Sequence, residues 1–265
     1  MESKSKIRRM GKGATMIHIF TSVVNRPDFL EYQLQSLNKF VKDDFTFHAV
    51  YDNGIDSNVL EKFKEVCSAG IVLHEADDRV IHPNPSTCIS LVVDWIFNEL
   101  MLKKYKDDIC VILDADMFLI DELNIEEYIE DYPILGIPQS REHVYYITNQ
   151  LMVFNMPKII SIDTDIDFMD GIVEGQSVDS CGKMYYWFKK NNVELKKVST
   201  EYPSHYNDIN IADEGITAGI NFEIYDDIFL HYRAGSNWFH KWKQEKDPLQ
   251  RKMEIFKTIM SDVLS

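Results

Sequence analysis

Residues 110–120 read CVILDADMFLI and place Asp114 and Asp116 one residue apart inside an otherwise apolar run. An ionised carboxylate removed from water needs a partner, a cation or a proton. An aspartate pair where a strand gives way to a loop can offer oxygen ligands to a hard cation such as Mg2+ or Mn2+. A cation held in this way neutralises a diphosphate that an acidic protein would otherwise repel. The competing use of such a pair is a turn in which the aspartates accept from backbone amides. The apolar strand before the pair and the apolar MFLI after it favour the ligand reading.

These carboxylates must be positioned by a scaffold, and the chain supplies one. From Ile17, strand-like and helix-like segments alternate. IHIFTSVV is β-branched and apolar, and FLEYQLQSLNKFV repeats Leu30, Leu34, Leu37 and Val41 at helical spacing, with Asp28 as the expected N-cap. FTFHAVYDN alternates as a strand, NVLEKFKEVCSAG reads as a helix closed by Gly70, and IVLHEA is the next strand. Ser86 is the expected cap of a long helix carrying Ile89, Val92, Val93, Ile96, Leu100 and Met101, which leads into DICVILDAD. That last run has the continuous apolar character of a strand buried on both faces. Residues 17–120 therefore predict β-α-β-α-β-α-β, a largely parallel sheet with crossover helices. Ligands of open α/β sheets bind beyond the carboxyl ends of the strands, and the aspartate pair ends the fourth. Downstream, PILGIPQ and QLMVFNM read as strands, GKMYYWFKKN as a helix and IFLHYRAGSNW as a strand entering a loop, while 199–226 has little periodicity.

Composition narrows the partners. The 265 residues suffice for one large α/β domain, and 45% hydrophobic content is ordinary for a globular chain. A net charge of -15 argues against a nucleic-acid partner, which requires clustered Lys and Arg. No apolar run reaches the roughly 20 residues of a membrane helix. The four cysteines, Cys67, Cys88, Cys110 and Cys181, lack zinc spacing and read as free thiols of a cytoplasmic protein. Residues 1–16 are polar and basic and predict a disordered leader, with 17–265 as a single domain.

With the aspartate pair, three further segments resemble the GT-A nucleotide-sugar glycosyltransferases, in the order that family shows them. FTSVVNRPDFLEYQLQSL is similar to the opening strand and helix whose loop surrounds the nucleobase. YYITNQLMVFNM is similar to a strand of glycogenin- and galactosyltransferase-like members, with Asn149 and Asn155 at its two Asn positions. HYRAGSNW is similar to the C-terminal His-Gly-Trp loop, although Gly235 falls one residue late and the usual Lys is missing. The resemblance implies a Rossmann-like nucleotide-binding half over 17–120, a mixed central sheet, and an irregular acceptor half over 121–265. It implies a divalent cofactor, Mn2+ or Mg2+, held by Asp114, Asp116 and His231. It also implies a nucleotide-sugar donor, with UDP as the expected nucleotide, and a glycan or other hydroxyl acceptor.

The donor residues expected on this basis are Thr21, Asp52, Arg79, Asp114, Ala115, Asn149, Arg233, Gly235 and Ser236. Arg79 would meet the phosphates or Asp114, and Asp52 would meet the base or ribose, unless it only closes an Asp-Asn-Gly turn. Arg233 offers its guanidinium fork to diphosphate oxygens. The catalytic candidates are Asp179 and Glu174 in DGIVEGQSVDS, with Gln150, which stands near a small-residue position of the family strand. Asp179 has an alternative use as the N-cap of the following helix. Two other enzyme classes fit less well. A sugar-phosphate nucleotidyltransferase would carry a Gly-rich basic loop where TSVVNRPDF has no glycine. An aspartyl-nucleophile phosphatase would carry its D-x-D on the first strand. A carbohydrate-binding protein of the same fold is the non-enzymatic alternative.

Overall fold

The computed structural model describes residues 15–23, 25–52, 54–202, 222–233 and 246–265. The basic leader up to Ala14 lies outside them. Met16 is already tied down, its amide donating to Asp108 and its carbonyl accepting from Ile109 N.

The chain runs β1 (Ile17–Ser22), α1 (Pro27–Phe40), β2 (Phe45–Asp52), α2 (Ser57–Cys67), β3 (Val72–Ala76) and α3 (Pro85–Trp95). A π-helical turn, Ile96–Met101, joins α3 to α4 (Leu102–Lys104), and β4 (Ile109–Leu113) and β5 (Met117–Leu119) follow. Next come α5 (Ile125–Ile129), β6 (Ile134–Arg141), β7 (Val144–Asn155), α6 (Met156–Ile162), β8 (Gly171–Val173), β9 (Gln176–Val178) and α7 (Met184–Asn191). The chain ends with β10 (Leu195–Lys197), β11 (Thr200–Glu201), β12 (Glu223–Tyr225), β13 (Phe229–His231) and α8 (Lys246–Leu264).

The central sheet has seven strands in the order β10-β6-β7-β4-β1-β2-β3. The β-α-β-α-β-α-β reading of the first half holds: β3, β2, β1 and β4 pair in parallel. Antiparallel β7 then makes the sheet mixed, as the resemblance implied. All 6 residues of β1 are buried, because helices cover both faces. Ile17 and Ile19 face Leu30, Leu37 and Phe63, while Phe20 packs with Cys110, Ile112, Val92 and Phe97 on the opposite side. A smaller sheet, β11-β12-β13-β5, lies beyond the end of β4. α8, for which the sequence reading had no assignment, covers it through Phe256, Ile259 and Met260 against Phe118, Leu230 and Tyr232. Each aromatic ring buried there contributes about 1.5–3 kcal/mol.

Two expected caps move by the same cause. Asp28 sits inside the first turn of α1, paired with Arg26 at 2.6 Å, and Arg26 is the boundary residue. α3 is capped by Asn84, whose side chain accepts from Ser86 N, rather than by Ser86. Each helix has proline at its first position, where a fixed φ starts the helix and a missing N–H costs nothing, so the boundary falls just before the proline.

The amino end of the sheet carries a chain of imidazoles. His18, His48 and His74 occupy β1, β2 and β3 on the face of Phe20, offset diagonally by the parallel register. His18 Nδ1 lies 3.1 Å from His48 Nε2, and His48 Nδ1 lies 3.0 Å from His74 Nε2. Asp108 closes the chain by accepting from His18 Nε2 at 3.3 Å, and Tyr105 stacks on His18. All four cysteines are unpaired, and three of them are buried.

Candidate active site

β4 ends at Leu113 and the chain turns through Asp114, Ala115 and Asp116 before joining the smaller sheet as β5. The turn is held from two sides. Asp114 N donates to Gln150 O at 2.9 Å, and the fully buried Gln33 of α1 donates its amide to the carbonyls of Asp114 (2.7 Å) and Met117 (3.0 Å). Because Met117 pairs with His231 across β5 and β13, the imidazole arrives beside Asp116, with Nε2 3.3 Å from Oδ1. One ligand atom from each of Asp114, Asp116 and His231 lies within 4.8 Å of the others. A cation with bonds of about 2.0–2.2 Å sets its ligand atoms roughly 3–4.4 Å apart, so these donors need to contract only slightly around one ion.

Ionisable groups are concentrated at this turn. Asp116 is 2% exposed and His231 2% exposed. Burial, reinforced by the neighbouring Asp116 charge, pushes the Asp114 carboxyl up to about 7, although it accepts from Ala115 N (2.8 Å) and Asn149 Nδ2 (3.3 Å). Burial opposes protonation of His231, but Asp116 and Glu223 outweigh it and push the imidazole up to about 9. Two carboxylates and an imidazole, with Asp116 and His231 buried and Asp114 half-buried, form a donor set that suits Mn2+ or Mg2+.

The metal candidates open onto a cavity of about 970 Å³. The strand order lays out its wall: Asp52 from β2, Ser22 from β1, Asp114 after β4, Asn149 and Gln150 from β7, and Gln139 and Arg141 from β6. The smaller sheet closes the cavity with Glu223, Tyr225, His231 and Arg233.

Most of the sequence-named residues meet here. Asp114, Ala115, Asp116, Asn149, Gln150, Asp179, His231, Arg233 and Asp52 all line the cavity. Asp52 also closes the turn, its carboxylate accepting from Gly54 N at 2.8 Å. Asp179 does not cap α7, which starts at Met184; its carboxylate accepts from Ser180 N, next to it in the chain. Three residues are not brought in. Arg79 is exposed and pairs with Asp77 (2.9 Å) and Glu99 (3.1 Å), because the short helical turn at Asp78–Val80 directs it to the surface helix. Glu174 occupies the tight turn between β8 and β9 at φ 47 and pairs with Lys189. Thr21 alternates away from the cavity, where Ser22 and Val23 stand instead. Gly235 and Ser236 lie outside the described residues.

No protein-family model and no curated protein matches the chain. Among solved structures, it is similar to the galactosyltransferase LgtC in complex with donor and acceptor sugar analogs, at 12% identity and TM-score 0.49, over 91% of this chain and 95% of that one. It is also similar to the mannosyltransferase PcManGT from Pyrobaculum calidifontis in complex with GDP-Man and Mn2+, at 9% identity and TM-score 0.44 over 70% of this chain. The similar region spans 55% of that mannosyltransferase.

Other site residues escaped the sequence reading. Gln33 left a usable signal: it is polar on the apolar stripe between Leu30 and Leu37. Ser180 donates to Asn149 Oδ1 at 2.6 Å and so links the Asp179 segment to Asp114 through Asn149. Glu223 lies in the stretch without periodicity and gave no local cue. Lys252 of α8, 1% exposed, donates to the carbonyl of Arg233, and burial pulls its ammonium down to about 7.

Proposed function

We propose that this chain is a metal-dependent glycosyltransferase that takes a nucleoside-diphosphate sugar, with UDP as the nucleotide, and transfers the sugar to a glycan or other hydroxyl acceptor. The observation that carries the reading is the meeting of Asp114, Asp116 and His231 beside a cavity of about 970 Å³ at the carboxyl end of a mostly parallel sheet. That volume lies in the range of small-molecule sites, and the position is where open α/β sheets bind ligands.

The chain's own groups divide the work. Asp114, Asp116 and His231 hold the divalent cation, which when bound offsets the charge developing on the departing diphosphate. Arg233 supplies a second positive group at the same end. Asp52, Ser22 and Val23 face the nucleoside. Asp179, Ser180, Thr148 and Gln150 line the opposite wall, where the carboxylate of Asp179 can take a proton from an acceptor hydroxyl or stabilise positive charge on the sugar. No helix of the described residues is long and apolar enough to cross a membrane. The four unpaired thiols support a cytoplasmic setting.

A thermal-shift panel tests the reading, because a ligand that binds only the native state raises its melting temperature. UDP, GDP and ADP are each added with and without Mn2+. The expected result is a metal-dependent rise, largest for UDP. Equal shifts for all nucleotides remove the UDP assignment, and shifts indifferent to Mn2+ remove the cation.

A further inference from the structure

Glu223 is a buried carboxylate, 5% exposed, that neither the motif nor the cation reading requires. It faces His231 directly across the β12–β13 pair. Alternation along these strands sends Glu223, Tyr225, His231 and Arg233 towards the cavity, and Phe222, Leu230 and Tyr232 towards α8. The carboxylate is saturated by that face. Oε2 accepts from Tyr225 OH at 2.6 Å and from His231 Nδ1 at 2.8 Å, while Oε1 accepts from Arg233 Nη1 at 2.9 Å. A ring nitrogen that donates to a carboxylate is fixed as N–H, and the other nitrogen then becomes the ligand atom. Here that other nitrogen is Nε2, the one beside Asp116.

We propose that Glu223 is a positioning residue. It fixes which nitrogen of His231 faces the cation and the plane in which the ring is presented, and the same carboxylate sets the guanidinium of Arg233 beside it. The proposal rests on the reading of Asp114, Asp116 and His231 as a cation site. Tyr225 serves as the comparison, because its hydroxyl donates to Oε2 at 2.6 Å and stands 3.4 Å from His231 Nδ1, a longer contact than the 2.8 Å of the carboxylate. A purely structural carboxylate would hold β12 to β13 and have no bearing on which imidazole nitrogen is presented.

The test is calorimetric titration of the full chain with Mn2+ alone, without nucleotide, alongside thermal melting. Glu223→Ala is expected to weaken Mn2+ binding roughly 10- to 100-fold, the usual cost of losing an outer partner of a metal-bound histidine. Glu223→Gln keeps an amide oxygen that can accept from Nδ1–H, and it should recover much of that loss. Tyr225→Phe should stay within about threefold of wild type. The deciding comparison is the double variant: in a His231→Ala background, Glu223→Ala should cause no further loss, because its effect runs through the ring. An undiminished additional loss there, or wild-type affinity in Glu223→Ala, overturns the positioning role while leaving the cation site standing. A wild-type chain that takes up no Mn2+ overturns both. If Glu223→Ala does not fold, the same cycle is run with Glu223→Gln, and a loss that persists without His231 again overturns the proposal.

Discussion

His231 and His48 are buried alike, 2% and 1% exposed, and each meets a partner at both ring nitrogens. Their charges are nevertheless driven apart. His231 stands between Asp116 and Glu223, which overcome the cost of burial and push it up to about 9. His48 stands between His18 and His74; burial, those two rings and nearby Lys104 pull it down to about 3. His18 and His74 are also lowered, chiefly by burial, and of the three rings Asp108 accepts from His18. With Asp108 as the final acceptor, each ring donates through Nε2 to the next and none needs a charge. Satisfied hydrogen bonds therefore do not determine the charge of a buried group; the charge of its partners does. The amino end is complete within the protein, whereas the carboxyl end concentrates carboxylates beside an open cavity, the donor set that the proposed cation would complete.

The largest expected effect separates the two ends by their aspartates. Asp116→Asn should reduce Mn2+-dependent UDP binding by more than the roughly 100-fold upper range for outer partners of a metal. Asp108→Asn should leave that binding within about twofold. Calorimetry on both variants makes the comparison, and it breaks if the two lose equally.

Next is the division of labour within the cavity. Asp179→Asn should lower turnover roughly 100-fold while UDP affinity stays within about twofold, as for a group that acts in the transition state. Glu174→Gln, changed at a surface turn paired with Lys189, should keep wild-type turnover. Steady-state kinetics that show the reverse would move the chemistry to the β8–β9 turn.

The third expectation concerns acid. The folded pKa of His48, about 3, lies below its unfolded value of 6.5, so the unfolded chain binds more protons as pH falls through 6.5. Its contribution is fully present above that value and is lost on descent towards 3. Between pH 7.5 and 5 this amounts to about 2 kcal/mol. Urea unfolding over that range should show a steep loss in the wild type and a flatter one in His48→Phe, even if that variant is less stable at pH 7.5. Equal slopes would mean that the imidazole chain accepts a proton without penalty. The smallest effect belongs to Arg79→Ala, which should change stability by no more than about 0.5 kcal/mol and leave UDP binding alone, because the exposed arginine pairs only with exposed Asp77 and half-buried Glu99 at the surface among the described residues.

The sequence by itself determined the alternation of β1 to β4 with their helices, the buried character of β4, the position of Asp114 and Asp116 at its end, and His231 at the end of a later strand. Those features are local: apolar period, strand length and a turn at a strand end are written within about ten residues. Proline placement was equally local, and it accounts for the shifted boundaries of α1 and α3. Only the tertiary structure decided which polar side chains meet. Gln33 reaches Asp114 across 81 positions of sequence, and Ser180 reaches Asn149 across 31. Glu223 acquires its role because antiparallel register sets it opposite His231, a relation that no periodicity in 199–226 announces. Arg79 and Glu174 show the converse, with the right chemistry in the right interval but aimed at the surface by the turns that carry them. A side chain's residue type is fixed by the sequence at its own position, but its neighbours are fixed by how sheets pair and pack, and a site is made of neighbours.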